Sequence, residues 1–234
     1  MKFLTLALAG AALAISAPAF AQDAVNNPAR NAENAARDAE RKPAEVLEFV
    51  AVEPGAVVLD WGAGGGYWSE VFAGAVGPEG KVYAQGARGP IEGFDNIEPM
   101  TMERGAPIPL EDASVDLIVL SYVYHHMYFA PDSGEATPAN TQTQLAEWSR
   151  VLKPGGRILV IDHQAKEGTT REASNEWHRA PKAAVVEDFT GAGYTLAAEN
   201  PDLFNNPEDT EEGAWGDDLR GNTTSFVLVF QKPE

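Results

Sequence analysis

An α/β fold with a mainly parallel sheet is what this sequence predicts, and three observations carry that prediction. Short apolar runs rich in β-branched residues alternate with stretches of helical periodicity. Clusters of Gly, Pro and Asn punctuate the boundaries between them. A glycine-rich stretch, 62–66, lies between the first apolar run and a helical pattern, which is where open α/β sheets place a ligand loop. The chain has 234 residues, enough for one domain with a sizeable core.

In chain order, residues 22–31 read as polar and loose, and 32–41, rich in Ala, Glu and Arg, as helical. Pro43 opens a second helix to residue 50, with Val46, Leu47 and Val50 at core spacing. After the Pro54-Gly55 turn, residues 56–60 read as a buried strand. Residues 67–76 read as a helix stopped at Gly77-Pro78, and 81–84 as a second strand. Residues 88–99 hold too much Gly and Pro for a long helix, and 97–102 suit a short third strand. Residues 116–121 are the next buried strand, and 130–140 a long Pro/Gly/Ser loop of the kind that forms lids. An amphipathic helix at 141–152 ends at Lys153-Pro-Gly-Gly156, and 157–162 form a fifth strand. Residues 173–191 read as largely helical, 194–199 as a sixth strand, 201–220 as an acidic loop and 225–231 as a last strand. The two late strands are joined by a loop rather than a helix, which predicts an antiparallel edge pair.

Composition narrows the function. There is no cysteine, which excludes a disulfide framework, a thiolate metal site and a cysteine nucleophile. The 35 acidic residues outnumber the 17 Lys and Arg, for a formal charge of -18. Such a surface repels phosphate backbones and anionic lipid, so the expected partner is a small-molecule substrate and not nucleic acid or a membrane. Oligomeric state is not legible. Lys2, the apolar run 3–15 and Ala19-Phe-Ala21 have the order of a cleaved signal peptide, with Gln22 as the first mature residue. The apolar run is too short to span a bilayer readily, although an uncleaved anchor is the alternative. The expected organisation is a leader at 1–21, a polar and helical segment at 22–42 and the folded domain at 43–234, in a periplasmic or secreted protein.

The most informative motif is Val57-Val-Leu-Asp-Trp-Gly-Ala-Gly-Gly-Gly66. Asp60 closes the strand, and glycines at 62, 64 and 66 permit positive φ and close approach of a ligand to the backbone. The helix beginning near Tyr67 offers its first amides to whatever lies above the loop. Glycines that merely turn a strand into a helix are the plainer alternative.

This segment resembles the first motif of class I S-adenosylmethionine-dependent methyltransferases. Val115-Asp-Leu-Ile-Val-Leu-Ser121 is similar to their fourth strand, and the stretch from Leu145 through Pro154-Gly-Gly156 to Asp162 is similar to their helix, turn and fifth strand. More narrowly, Asp38-Ala-Glu-Arg-Lys-Pro-Ala-Glu-Val-Leu47 and the later Asp162-His163 and His178-Arg179 pairs resemble an exported group of these proteins. The resemblance implies a Rossmann-like, seven-stranded sheet with helices on both faces and the last strand inserted antiparallel. It implies S-adenosylmethionine as cofactor, with Asp60, Gly62, Gly64 and Gly66 at its methionine end. Ala63, Gln85 and Ser121 complete the expected cofactor contacts. Gln85 stands where the family commonly has an acidic residue for the ribose hydroxyls, and an amide grips a diol less firmly than a carboxylate.

The four histidines are His125, His126, His163 and His178. The first three follow the fourth and fifth strands, and parallel strands end on one rim, so they converge beside the glycine loop. His126, His163 and His178 are the candidates for catalysis, with His126 or His163 as the base that takes the acceptor's proton. No His-x-His or His-x-x-x-His spacing supports a metal, and none is expected. A protein that keeps the fold without the reaction, and a His-based metal enzyme, are the competing functions.

Overall fold

The computed structural model describes residues 17–103, 105–129, 138–206, 213–214, 219 and 221–234. Helices α1 (Ala17–Val25), α2 (Ala32–Ala35), α3 (Asp38–Arg41) and α4 (Pro43–Val50) precede the sheet. Then come β1 (Val57–Gly64), α5 (Tyr67–Val76), β2 (Lys81–Ala87), β3 (Ile97–Met100) and β4 (Val115–Ser121). The chain continues through α6 (Pro138–Val151), β5 (Leu152–His163), α7 (Ser174–Trp177), α8 (Lys182–Gly191), β6 (Thr195–Glu199) and β7 (Ser225–Gln231). A short 3-10 turn, Tyr124–Tyr128, follows β4.

The strand order is β3-β2-β1-β4-β5-β7-β6. Six strands run in one direction, β1–β5 paired in parallel, and β7 lies antiparallel between β5 and β6. Order reverses between β1 and β4, so the crevice for a ligand lies beyond their carboxyl ends.

Successive strand residues point to opposite faces, and both faces are covered. Val58, Val82, Leu117, Val119 and Leu159 pack with Val46, Val50, Val71 and Phe72 of α4 and α5. Leu59, Ile118, Leu120, Ile158 and Val160 pack with Leu145, Trp148, Val185 and Phe189 of α6 and α8. This two-sided burial explains why the strands read as unbroken apolar runs rather than alternating ones.

Two expectations change. Residues 22–25, expected loose, continue the helix α1, and its Ala21 and Ala24 are buried against α4 and α5. Their small side chains allow the approach: a Cβ added to Gly74 of α5 would meet the Ala24 carbonyl at 3.0 Å. The 173–191 stretch is largely helical, as expected, but it is divided between α7 and α8, because Pro181 cannot continue α7 and biases the chain before it away from helix. His178 consequently sits beyond α7 with φ +50°, not within a helix. The lid expected at 130–140 lies largely outside the described residues, and α6 takes over at Pro138. No helix among the described residues is long and apolar enough to cross a membrane.

Candidate active site

The glycine loop is shaped by its neighbours. Gly62, Gly64 and Gly66 adopt φ of +81°, +56° and +82°, a region that costs other L-residues strain. A Cβ at Gly62 would lie 2.7 Å from Val123 Cγ1, and one at Gly66 would lie 2.8 Å from Ile91 Cδ1. At Gly64 a Cβ would meet only the Gly62 carbonyl, at 3.8 Å. That is an open cradle directly above the end of β1. The Ala63 carbonyl accepts from the Gly66 amide at 2.8 Å and closes the turn.

Asp60 is buried beneath this loop, and its Oδ2 accepts from the Ser69 hydroxyl at 2.6 Å. Burial pushes its carboxyl up to about 6, opposed by the Ser69 hydrogen bonds. It is therefore engaged by α5 and braces the loop. Gln85, half-buried at the end of β2, accepts from the Gly62 amide at 3.1 Å through Oε1. Ser121 ends β4 and accepts from Trp68 Nε1 at 2.7 Å. Of the expected cofactor residues, Gln85 lines a cavity of about 480 Å³, together with Trp61, Met102, His126, Phe129 and Glu147. The cavity's size falls within the roughly 300–1,000 Å³ of small-molecule sites.

The histidines form the other wall, and they divide into two kinds. His163 is fixed: its Nδ1 lies 2.6 Å from Thr223 Oγ1, and its ring stacks on Tyr122 at 4.3 Å. Burial drives it down to about 3, so it is neutral and weakly basic at neutral pH. His126 is on the exposed side and lines the cavity. Desolvation of its inner face, then the neighbouring His125, lowers it to about 4. His178 is partly buried and also lowered, chiefly by burial. Of the two imidazoles expected to serve as base, only His126 borders the cavity.

His125 and Asp162 were not among the expected catalytic or cofactor residues, and the structure pairs them. Asp162 is fully buried, and its Oδ1 lies 2.8 Å from His125 Nδ1. The amides of His125 and His163 also donate to it, each at 2.8 Å. Burial alone would raise this carboxyl. The His125 ring and these donors outweigh it and hold the group below the ordinary carboxylate range.

The N-terminal segment was also missed. Asn34 Nδ2 donates to the Gly65 carbonyl at 3.2 Å and to Glu70 at 2.9 Å. Arg30 grips Asp38 with two 2.8 Å bonds, and Asp38 accepts from the Tyr67 hydroxyl at 2.7 Å. Arg41 lies against the Tyr67 and Tyr122 rings, 4.9 and 5.6 Å from their centroids. The segment thus seats on the loop. Its only sequence signal was the family resemblance of 38–47.

Fold and crevice together define a class I methyltransferase architecture. Comparison with known proteins agrees. A model of the "Methyltransferase domain" matches residues 59–160, and one of "Protein-L-isoaspartate(D-aspartate) O-methyltransferase" matches residues 17–87. A ubiquinone/menaquinone biosynthesis C-methyltransferase UbiE of Burkholderia mallei (strain SAVP1) is 27% identical over 146 residues, 59% of this chain and 51% of the relative. The chain spans about half the length of the curated relatives it matches. A SAM-dependent methyltransferase from Aquifex aeolicus aligns with a TM-score of 0.59 and 21% identity over 92% of this chain and 97% of that one. A Haloferax volcanii methyltransferase solved with its Trm112 activator aligns at 0.55 and 20% identity, over 92% and 98%. Residues 59–160 are thus similar to the methyltransferase domain, and the chain has the fold of class I S-adenosylmethionine-dependent methyltransferases. S-adenosylmethionine is the cofactor of that class, and the open Gly64 cradle, the braced loop and the adjoining cavity fit it.

Proposed function

We propose that this protein methylates a small-molecule acceptor held between the glycine loop and the imidazole wall. One observation carries the reading: a single cavity is lined by Trp61 and Gln85 on the loop side and by His126 and Phe129 on the other. The cofactor supplies an electrophilic methyl group on a sulfonium. The chain's part is alignment, exclusion of water and removal of a proton. The open face at Gly64 and Gln85 hold one reactant, and Phe129 and Met102 give the cavity apolar surface. His126 is placed to take or direct a proton from the acceptor. The named activity of the UbiE relative, C-methylation, supports an acceptor that is small and organic. The acidic surface favours the same choice over nucleic acid. Residues 1–21 support export, and the site of action is proposed to be outside the cytoplasm; fractionation of cells expressing the full chain tests this.

The test of function is transfer of a labelled methyl group from S-adenosylmethionine into a small-molecule extract of the source cells. Label appearing in an extractable compound, and lost in the Gly64→Leu variant, is the expected result. Binding of the cofactor with no transfer to any extract would leave a ligand-binding protein on the same fold.

A further inference from the structure

His125 and His126 lie on the 3-10 turn after β4, and His178 lies between α7 and α8. Far apart in sequence, the three rings meet. One nitrogen from each lies within 4.8 Å of the other two. Ring centroids are 4.3 Å apart for His125 and His126, and 5.4 Å for His125 and His178.

Packing alone accounts poorly for three further features. First, a carboxylate stands behind one imidazole. Asp162, entirely buried, occupies His125 Nδ1 and so leaves Nε2 as the nitrogen able to face the cluster. A carboxylate holding the far nitrogen of a ligating histidine is the usual support of a metal site. Second, His178 holds a left-handed backbone at φ +50°, a strained conformation for a non-glycine residue that clusters at functional positions. Its flanks pin it there. The His178 amide donates to the Ser174 carbonyl at 2.8 Å, and the Ala180 amide to the His163 carbonyl at 2.8 Å. Third, exposure is graded: His125 is buried, His178 partly so and His126 exposed. One side of the cluster is therefore open to solvent and to the cavity that His126 lines.

We propose that His125, His126 and His178 bind one divalent ion of the zinc class, with Asp162 orienting His125 and a fourth coordination position left open. Three imidazoles without a thiolate suit Zn2+ and its neighbours rather than Mg2+ or Ca2+, which take oxygen ligands. Three protein ligands plus one free position is the pattern of reactive rather than structural zinc sites. Zn–N bonds of about 2.0–2.1 Å place ligand nitrogens roughly 3.4 Å apart. The rings need only rotate inward by about an ångström from their present limit. The spacing of histidines along the chain predicted no metal, because the third ligand arrives through the fold. On the methyltransferase reading, a bound ion would occupy His126 and take over its part, its open position holding an acceptor oxygen and lowering that oxygen's pKa; ion binding itself does not depend on that reading.

The test uses tag-free protein, stripped with a chelator and titrated with Zn2+ against a chromophoric chelator, with no cofactor present. One equivalent taken up, together with a higher thermal midpoint, is expected. Histidine-to-glutamine changes at 126 and 178 (H126Q, H178Q), made at the cluster's accessible side so that the fold survives, should each weaken binding severely. Asp162→Asn should weaken it about 10–100-fold. Absence of Zn2+ uptake by the wild-type protein overturns the proposal, as does uptake by H126Q and H178Q as tight as wild type. Because no methyl donor is involved, this failure would leave the methyltransferase reading standing, and failed methyl transfer would not touch the ion site.

Discussion

At the glycine loop, the turn itself and the Ser69–Asp60 bond are made within one short stretch, while Ile91, Val123, Gln85 and Asn34 close on it from outside. The imidazole wall is assembled from three parts of the chain, at 125–126, 162 and 178. The turn of the loop is set by its own glycines and the Gly66–Ala63 bond, and none of its surrounding contacts involves a buried charge pair. The wall depends on tertiary packing, with a buried charge at its centre. Damage to the two regions should differ in kind, with the loop failing in binding and the wall failing in folding.

The largest effect expected is at the wall. Asp162→Ala leaves two amides and the His125 ring without their buried acceptor. Breaking such a pair costs about 3–5 kcal/mol, and chemical denaturation reads it. A loss under about 1 kcal/mol would mean that water replaces the carboxylate and that the wall is less dependent on its centre than argued.

Asp60 is next, and its effect is a pH dependence. Its folded-state pKa of about 6 stands above the ordinary 3.8. The folded protein therefore holds this proton more tightly than the unfolded chain. The stabilisation is full below about pH 4 and is lost as pH rises through about 6, on the order of 3 kcal/mol in all. Asp60→Asn should remove this slope from the variant's own curve, so the difference between wild-type and variant stability falls as pH rises from about 4 to above 6. Parallel curves from pH 4 to 7 would show that the carboxyl is not desolvated as the structure indicates.

Ser69→Ala removes the hydroxyl that donates to Asp60 and should cost about 1–3 kcal/mol. It should also move the Asp60 midpoint upward, because that bond stabilises the charged form. A downward shift would contradict the assignment. The smallest effect is at β2: Gln85→Glu keeps an acceptor for the Gly62 amide and adds a charge-assisted grip on a diol. Cofactor affinity should tighten by about 1 kcal/mol, roughly fivefold. Weaker binding would mean that Gln85 is suited to the loop rather than to the ligand.

The same contrast explains what could be read from sequence. β1, the glycine turn and α5 were legible because apolar runs, glycines and a helical period stand side by side. The antiparallel placement of β7 was legible because no helix separates it from β6. Residues 22–25 were not: their continuation of α1 is fixed by packing on α4 and α5, which periodicity in so short a stretch does not reveal. His125 and Asp162 lie 37 residues apart, and nothing local marks them as partners. His178 seemed helical because its neighbours favour helix, while Pro181 and the end of β5 pull it into a left-handed turn.

The central claim is that the crevice at Gly64 holds S-adenosylmethionine, and calorimetric titration of wild type and Gly64→Leu with that cofactor tests it most directly. A leucine there fills the cradle at a folding cost of roughly 1–2 kcal/mol, so the variant should stay folded. Saturable binding by wild type, absent in the folded variant, is the predicted result. No heat from wild type at millimolar cofactor, or equal binding by both proteins, would contradict it.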